Sequence, residues 1–357
     1  MTFDYDVIVV GLGPAGSTFA RLAADKFKVF ALSRPVGEGE FSKPCGGLLS
    51  SDAQKALSSF DLTLPKSVLV DPQIFSVRTI DLKSGLTQHY QRFYINLDRD
   101  RFDSWLVSLI PPAADIARGV CRGVKRLPNG GFEMTYTENG TQKSVTAKYI
   151  VGADGANSTV RKSLFPKLKF NHYVSIQQWF EEKNESPFYS CIFDPDTSDC
   201  CSWSISKDEH FIFGGAFAPE NCREAFEAQK KKLAEKCGFK FGEPIKTEAC
   251  VVLRPKSHFD FFSGENGAFL IGEAAGFISP SSLEGISSAI NSGRLLYKSL
   301  LTACPNAAYH KATRPIRIKL LLKRLKCPFM YQPLLRRIVM ESGLQAIEVT
   351  PTAKRSI

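Results

Sequence analysis

The stretch Asp6-Val7-Ile8-Val9-Val10-Gly11-Leu12-Gly13-Pro14-Ala15-Gly16 decides the fold. A β-branched run precedes the glycines and a helix-compatible segment follows them, so the sequence predicts a strand, a tight turn and a helix. In such a turn Gly11 allows the sharp bend, Gly13 lets backbone N–H groups approach a pyrophosphate, and Gly16 permits close packing of helix and strand. The N-terminus of the helix, at Pro14 and Ala15, offers partial positive charge to the phosphates. The stretch therefore predicts a Rossmann-type nucleotide-binding domain in a mixed α/β protein.

Two later segments repeat the pattern of a buried strand that ends in a glycine-rich turn. A strand over residues 145–151 precedes Gly152-Ala153-Asp154-Gly155, and Asn157-Ser158 suits a helix start. A strand over residues 268–271 precedes Gly272-Glu273-Ala274-Ala275-Gly276, and a long helix is predicted over residues 281–301. The turn at residues 11–16 and the turn at residues 272–276 are both of the phosphate-binding type. Two such loops far apart in one chain indicate a single long dinucleotide.

The three glycine-rich segments resemble those that wrap FAD in the aromatic-hydroxylase-like flavoproteins. Lys43-Pro44-Cys45-Gly46-Gly47-Leu48, Gly276-Phe277-Ile278-Ser279-Pro280 and Glu284-Gly285-Ile286 extend this resemblance to the geranylgeranyl reductase family, over most of the chain. The resemblance implies an FAD-dependent oxidoreductase whose Rossmann-type FAD domain carries an inserted antiparallel sheet over the substrate.

The same resemblance implies roles for individual residues. It places Glu273, where the family usually has Asp, on the ribitol or ribose, and the N-terminus of the helix over residues 281–301 near the flavin pyrimidine. It also assigns Gly285 and Ile286 to the cofactor site. It runs the Cys45-Gly46-Gly47 loop beside the isoalloxazine, so Cys45 is the candidate catalytic residue, although an ordinary small thiol is an equal interpretation. It also brings Arg99 toward the flavin.

The carboxylate expected on the adenosine ribose about 20 residues after the glycines is absent. Its position falls at Ser33, followed by Arg34. Ser33 could bond a ribose hydroxyl and Glu38 or Glu40 could fold back, whereas Arg34 would also suit a 2′-phosphate, as in NADP sites. FAD remains the predicted cofactor, because the sequence has no second GxGxxG for a nicotinamide domain.

Two polar residues of the middle motif admit structural as well as functional interpretations. Asp154 could close an Asx turn on its own backbone, or it could contact a ribose or a water on the pyrophosphate. Arg161, one turn into the following helix, is interpreted as a surface or ion-pair residue.

The family's cavity signature, Tyr-x-Trp-x-Phe-Pro, is incomplete here. It aligns with Cys201, Trp203, Ile205 and Ser206, so only the tryptophan is retained. The related halogenase signature, Trp-x-Trp-x-Ile-Pro, lacks its first Trp and its Pro. The sequence therefore predicts neither a standard prenyl tunnel nor a halogenase wall, and Trp203 is either a substrate contact or part of a strand core.

Alternating aromatic and polar residues predict antiparallel strands over residues 66–97 and 168–260. These would form the substrate-covering domain, with Gln177, Trp179 and Tyr189 as further substrate-pocket candidates. The FAD domain would comprise residues 1–65, 98–165 and 261–310. Residues 311–357 would form a basic amphipathic helical C-terminus.

The positive charge is concentrated near the C-terminus. The chain has a formal net charge of +10, and residues 285–340 contain no Asp or Glu. Apolar residues alternate there with Lys and Arg, which predicts either a helix on an anionic membrane or a solvated cationic face packed on the FAD domain. No nucleic-acid-binding module is recognisable.

Length and composition agree with a two-domain enzyme. The 357 residues contain 43% hydrophobic residues, and no apolar run is long enough to span a membrane. The first residues do not resemble a signal peptide, so a cytoplasmic location and reduced cysteines are expected. No Cys or His spacing indicates a metal site.

The leading functional hypothesis is reduction of a carbon–carbon double bond in an apolar, isoprenoid-like substrate. NAD(P)H or a separate reductase would reduce the FAD, and a proton donor is required that the sequence does not identify. The first alternative is an FAD monooxygenase that hydroxylates an aromatic or lipid. The second is a non-catalytic flavoprotein that binds a lipid or envelope partner.

Overall fold

The computed structural model describes residues 2–34, 43–60, 62–128, 130–181 and 188–350. Glu38, Glu40 and the last seven residues of the predicted C-terminal segment lie outside these ranges. The strands are β1 (Tyr5–Val10), β2 (Val29–Ser33), β3 (Leu48–Leu49), β4 (Ile74–Asp81), β5 (Leu86–Asn96), β6 (Asp115–Arg118), β7 (Val120–Arg126), β8 (Phe132–Glu138), β9 (Thr141–Gly152), β10 (His172–Glu181), β11 (Tyr189–Phe193), β12 (Ser202–Lys207), β13 (His210–Phe217), β14 (Lys246–Leu253) and β15 (Ala268–Leu270). The helices are α1 (Pro14–Ala23), α2 (Ser51–Ser58), α3 (Arg99–Ser108), α4 (Thr159–Leu164), α5 (Cys222–Cys237), α6 (Ile286–Leu300), α7 (Pro305–Ala312), α8 (Arg314–Arg324), α9 (Cys327–Tyr331) and α10 (Pro333–Glu341), and short 3₁₀ turns span Lys66–Val68, Pro219–Asn221, His258–Asp260 and Gly272–Ala275.

The first sheet has the order β6-β2-β1-β9-β8-β7, and β15 also pairs with β9. Strands β6, β2, β1, β9 and β15 run parallel, whereas β7 and β8 form an antiparallel extension. Helices α1 and α6 pack against each other beside it. Gly293 permits this close packing, because any larger residue would place a methyl group 2.5 Å from the Ala15 carbonyl oxygen. The parallel strands therefore end at one edge, where all three glycine-rich turns begin.

The second sheet has the order β14-β10-β13-β12-β11-β4-β5-β3 and is antiparallel except where β11 pairs with β4. One face packs Phe180, Phe211 and Phe213 against α5, which contributes Phe226 to the same cluster. The other face carries Trp203 and Ile205, which point the same way because they are two residues apart on β12. That face covers the ends of the parallel strands.

The strands of the first sheet fall inside the ranges predicted for the FAD domain. Those of the second fall in the substrate-domain ranges, except β3, which pairs with β5 from inside residues 1–65. The exact domain boundaries remain a prediction.

Two predicted helices differ from the structure. The helix expected over residues 281–301 begins only at Ile286, because Leu283 has a left-handed φ of 55° and breaks the preceding segment. The C-terminal segment forms the separate helices α8, α9 and α10 rather than one, and Pro328 and Pro333 stand at the starts of the last two. Within the ranges that the structure describes, every helix is too short or too polar to cross a membrane.

Candidate functional site

A cavity of about 890 Å³ lies between the ends of the parallel strands and the inner face of the second sheet. It brings together most of the residues predicted for the site. The predicted residues that line it are Gly11, Gly13, Pro14, Ala15, Ser33, Arg34, Cys45, Gly46, Gly47, Arg99, Asp154, Tyr189, Trp203, Glu273, Gly285 and Ile286. Gly16, Gly272, Gln177 and Trp179 stand behind the lining.

The first glycine turn has the geometry of a phosphate site. Gly11 has a φ of 96°, and a methyl group there would lie 2.7 Å from the Ala153 carbonyl oxygen. A methyl group at Gly13 would meet nothing within 4 Å, so the space beside this residue is open. Helix α1 starts here without a side-chain cap. Its first N–H groups have no acceptor within the helix and are available to an anion.

The two carboxylate oxygens of Asp154 have different surroundings. Its Oδ2 accepts hydrogen bonds from the backbone N–H groups of Thr159 at 2.6 Å and Val160 at 3.2 Å, which caps α4. Its Oδ1 is buried and has no hydrogen-bond partner among the described residues. Burial raises the pKa of this carboxyl. A buried oxygen beside the cavity without a donor is suited to a ligand hydroxyl.

Arg161 is not a surface residue. It is only 6% exposed, and its Nη1 donates to the Ala274 carbonyl oxygen at 2.7 Å while Nη2 donates to that of Ala156. The guanidinium also lies over the Phe170 ring. Arg161 therefore joins the middle glycine turn to the third one, and backbone carbonyls satisfy it instead of a carboxylate.

These features fit FAD. The start of α1 offers N–H groups and open space to a pyrophosphate, and Asp154 offers an unpaired acceptor to a ribityl or ribose hydroxyl. At the end of β2, Ser33 and Arg34 line the cavity together with Arg118. The described residues at that end thus present cations and a hydroxyl where the ribose carboxylate was expected.

Cys45 and Arg99 meet at the cavity wall. The Arg99 guanidinium forms two hydrogen bonds to Asp103, at 2.9 and 3.0 Å. Its Nη1 also lies 3.4 Å from Cys45 Sγ, and the Gly47 N–H donates to the same sulfur at 3.4 Å. Asp103 therefore fixes the arginine, and the arginine in turn holds the thiol in the wall of the cavity.

Lys207 supports the Cys45-Gly46-Gly47 loop from behind, which the sequence did not indicate. Its Nζ donates to Asn96 Oδ1 and the Leu97 carbonyl oxygen at 2.7 Å each, and reaches the Gly47 carbonyl oxygen at 3.5 Å. The side chain is buried, and this desolvation lowers its pKa to about 8.

Glu273 is engaged with protein groups. Its Oε2 forms an ion pair with Lys43, and its Oε1 accepts a hydrogen bond from the Leu253 N–H at 2.9 Å. The acid expected on the ribitol or ribose thus lines the cavity while it bonds the start of the Cys45 loop. Lys43 belongs to a quoted motif, but no sequence signal assigned it a role.

Three of the four substrate candidates, Gln177, Trp179 and Trp203, belong to one hydrogen-bonded row. Trp203 Nε1 donates to Gln177 Oε1 at 3.0 Å, Gln177 Nε2 donates to Glu248 at 3.3 Å, and Trp179 Nε1 donates to Glu248 at 2.9 Å. Gly214 lies between Gln177 and Trp203 in register, and a methyl group there would lie 2.7 Å from the indole. Gln177 and Trp179 therefore hold Trp203 from behind, and Trp203 and Tyr189 face the cavity.

Glu284 and Tyr94 are cavity residues to which the sequence assigned no role. Tyr94 Oη donates to Glu284 Oε1 at 3.2 Å, and the Tyr94 ring makes an edge contact with Tyr189. Burial raises the pKa of both groups. The only sequence signal was the position of Glu284 in the quoted Glu-Gly-Ile segment.

The C-terminal helices stand beside this wall. Tyr331 of α9 donates to the Ser281 carbonyl oxygen at 2.5 Å, and Arg336 of α10 pairs with Asp81 at 2.8 Å in a buried contact. Their outer surface exposes large apolar side chains, namely Ile318, Leu322, Leu325, Phe329, Leu334 and Ile338.

Comparison with known proteins agrees with this geometry. The family described as FAD binding domain matches residues 131–311. Protein CbrA from Escherichia coli O157:H7 is 48% identical over 349 residues, which are 96% of this chain and 98% of that protein.

Two solved structures share the fold. A geranylgeranyl bacteriochlorophyll reductase-like protein from Thermoplasma acidophilum is 24% identical, with a TM-score of 0.71 over 94% of this chain and 87% of that chain. PqsL, described as a probable FAD-dependent monooxygenase from Pseudomonas aeruginosa, is 13% identical, with a TM-score of 0.68 over 94% of this chain and 99% of that chain. The predicted fold class, family resemblance and cofactor are thereby confirmed.

Proposed function

This chain belongs to the FAD-binding domain family and to the family of CbrA, and we propose that it reduces a carbon–carbon double bond of an apolar, isoprenoid-like substrate. The cofactor FAD and the general class, an FAD-dependent oxidoreductase, follow from the family. The reaction and the substrate are the parts that we propose.

The observation that carries the proposal is the continuity of the cavity. One space of about 890 Å³ extends from the glycine turns to a wall that includes Tyr189, Trp203, Ile205, Ile278 and Leu283. This volume lies toward the upper end of the range of about 300–1,000 Å³ that is usual for ligand sites. A flavin held by the turns would therefore share its compartment with an apolar molecule.

FAD supplies two-electron hydride transfer when it is bound, and NAD(P)H or a separate reductase would supply the electrons. The chain's own residues position the reactants and exclude water. The α1 start, Asp154 and the Cys45-Gly46-Gly47 loop would hold the cofactor. Trp203, fixed by its hydrogen bond to Gln177, would hold the substrate against the opposite side of the cavity.

The test separates reduction from oxygenation. The FAD-loaded protein is reduced without oxygen and mixed rapidly with prenyl lipids or with air-saturated buffer, while the flavin absorbance is followed. Anaerobic reoxidation by a prenyl compound, with a product two hydrogens heavier, is the expected result. Oxygen uptake that depends on the substrate, with an added oxygen atom in the product, would instead establish a monooxygenase and overturn the proposal.

Trp203→Ala offers a matched test of the proposed substrate wall. It removes the indole from the cavity, so reoxidation by the prenyl compound should slow while FAD affinity stays unchanged. Ile245→Ser is the control, because Ile245 is 57% exposed and does not line the cavity.

We also propose that the exposed apolar side chains of the C-terminal helices bind an anionic membrane. Ile318 and Leu322 on α8 and Leu325 directly after it are 46%, 58% and 68% exposed, and the neighbouring Arg324 and Lys326 are exposed too. Apolar side chains interleaved with cations suit the interface of an anionic bilayer. Residues 282–284 of the cavity wall directly follow Ser281, which Tyr331 of α9 contacts. Such docking would therefore bring the cavity close to an apolar substrate in the membrane.

A further inference from the structure

Glu284 is a partly buried carboxyl group in the wall of the cavity. It follows Leu283, whose left-handed φ of 55° is uncommon for a branched side chain, and it precedes the start of α6. Its backbone carbonyl accepts a hydrogen bond from the Ser279 N–H at 2.9 Å, which closes the loop. This loop therefore fixes the carboxyl beside the same cavity that Tyr189 and Trp203 line.

Several groups act on the pKa of the Glu284 carboxyl, and their net effect raises it above its ordinary value. Burial is the largest influence and raises the pKa of the carboxyl, and the Asp52 carboxylate acts in the same direction. Lys323 and hydrogen bonds from Tyr94 and Ser50 oppose this effect. Tyr94 donates to Oε1, so the acid proton belongs on Oε2.

We infer that Glu284 is the proton donor of the reduction proposed above, and that Tyr94 orients its carboxyl group. This inference rests on the proposed function, because saturation of a double bond needs one hydride and one proton. The hydride and both electrons come from reduced flavin and form one new C–H bond. The Oε2–H bond of Glu284 breaks, its proton forms the second C–H bond, and a carboxylate remains.

The surroundings of Glu284 also suit the carboxylate that remains after it has given up its proton. The carboxylate left behind would be stabilised by the hydroxyl groups of Tyr94 and Ser50 and by the charge of Lys323, the groups that already lower the pKa. Water reaching the open cavity after product release would return the proton. The same carboxyl can thus release a proton to carbon and recover it.

Glu284→Gln tests the inference with little risk to folding, because the amide oxygen can still accept the bond from Tyr94. In wild-type protein, infrared pH titration of the FAD-loaded, substrate-free form should show a protonated carboxyl at neutral pH that the variant lacks. The reduction of the prenyl compound should slow by about 10²- to 10⁴-fold, as for loss of a general acid. FAD affinity should stay unchanged, and Glu265→Gln, an exposed site remote from the cavity, is the control.

Tyr94→Phe provides a second readout that a merely structural role would not move. Loss of its hydrogen bond to the carboxylate should shift the infrared titration of Glu284 to higher pH.

Wild-type protein in deuterated water should place one deuterium on the product carbon that does not receive the hydride.

The outcomes separate the two proposals. If wild-type protein reduces the prenyl compound and Glu284→Gln does so equally fast, Glu284 is not the donor. Absence of the protonated carboxyl band also overturns the inference. If wild-type protein reduces no prenyl compound, the proposed function fails, and the donor role assigned to Glu284 fails with it even where the band shows a protonated carboxyl.

Discussion

Lys43 and Glu273, 230 positions apart in the sequence, form an ion pair that joins the Cys45-Gly46-Gly47 loop to the turn after β15. Glu273→Gln should keep the hydrogen bond from the Leu253 N–H but weaken the link to Lys43. Because that loop lines the cavity, the dissociation constant of FAD should rise about tenfold, which corresponds to about 1.4 kcal/mol. A flavin fluorescence titration measures it.

Glu265→Gln is the control for this charge change, since its side chain is exposed at the surface. Equal FAD affinity in wild-type protein and both variants would mean that the Lys43–Glu273 pair has no part in holding the cofactor.

Two glycines of the first turn should respond differently to the same added methyl group. At Gly13 the methyl would meet no protein atom within 4 Å, so Gly13→Ala should fold normally but bind FAD at least about tenfold more weakly. At Gly16 it would collide with the Gly11 carbonyl oxygen, so Gly16→Ala should lower the melting temperature of the FAD-free protein as well. Equal FAD affinity for wild-type protein and Gly13→Ala would place the pyrophosphate elsewhere.

The sequence predicted the glycine turns well because each depends on local backbone geometry. A buried strand that ends in glycine specifies its own turn, and parallel strands bring such turns to one edge of the sheet. The cavity therefore contains nearly all residues that the motifs named. The family resemblance then supplied the cofactor.

The partners of the polar side chains could not be predicted, because they come from distant strands. Gln177 and Trp179 share a face of β10, but only the sheet register shows that Gly214 leaves room for Trp203 to reach Gln177. Arg161 was interpreted as a surface or ion-pair residue, whereas it is buried and donates to backbone carbonyls of two turns that lie far apart in the sequence. The raised pKa of Glu284 could not be predicted either, because it depends on burial that only the folded structure shows.

Lys207 should make stability depend on pH. Its folded pKa of about 8 lies below the ordinary value of 10.5, so between these values the unfolded chain binds more protons and stability rises with pH. The free energy of unfolding of wild-type protein, relative to Lys207→Met, should rise by on the order of 2 kcal/mol from about pH 7 to about pH 10. Urea unfolding of both FAD-free proteins measures it.

Lys231→Met is the matched control for Lys207, because the Lys231 side chain is 78% exposed. It should show the same pH dependence as wild-type protein. If the stability of Lys207→Met changed with pH just as that of wild-type protein does, the buried amine would have an ordinary pKa.

Cys45 should be shielded by bound cofactor. It lines the cavity beside Arg99, whereas Cys237 and Cys304 are exposed elsewhere. Iodoacetamide should therefore alkylate Cys45 in the FAD-free protein and at least about tenfold more slowly in the FAD-loaded protein, because the loop would lie against the flavin. Peptide mass spectrometry measures the rates, with Cys237 and Cys304 as internal controls that react alike in both forms. Equal rates at Cys45 would remove it from the flavin side of the cavity.

The exposed apolar side chains of Leu322 on α8 and Leu325 directly after it should decide whether the protein binds membranes. Wild-type protein should sediment with phosphatidylglycerol-containing vesicles but not with pure phosphatidylcholine, and added salt should release it, because the neighbouring cations contribute. Leu322→Ser combined with Leu325→Ser should weaken sedimentation by at least about tenfold, since each leucine contributes about 1.5–3 kcal/mol when fully buried. Ile245→Ser changes a similarly exposed apolar residue directly before β14 and should bind as wild-type protein does. Sedimentation that is unchanged in the double variant, or equal on neutral vesicles, would favour a solvated cationic face instead.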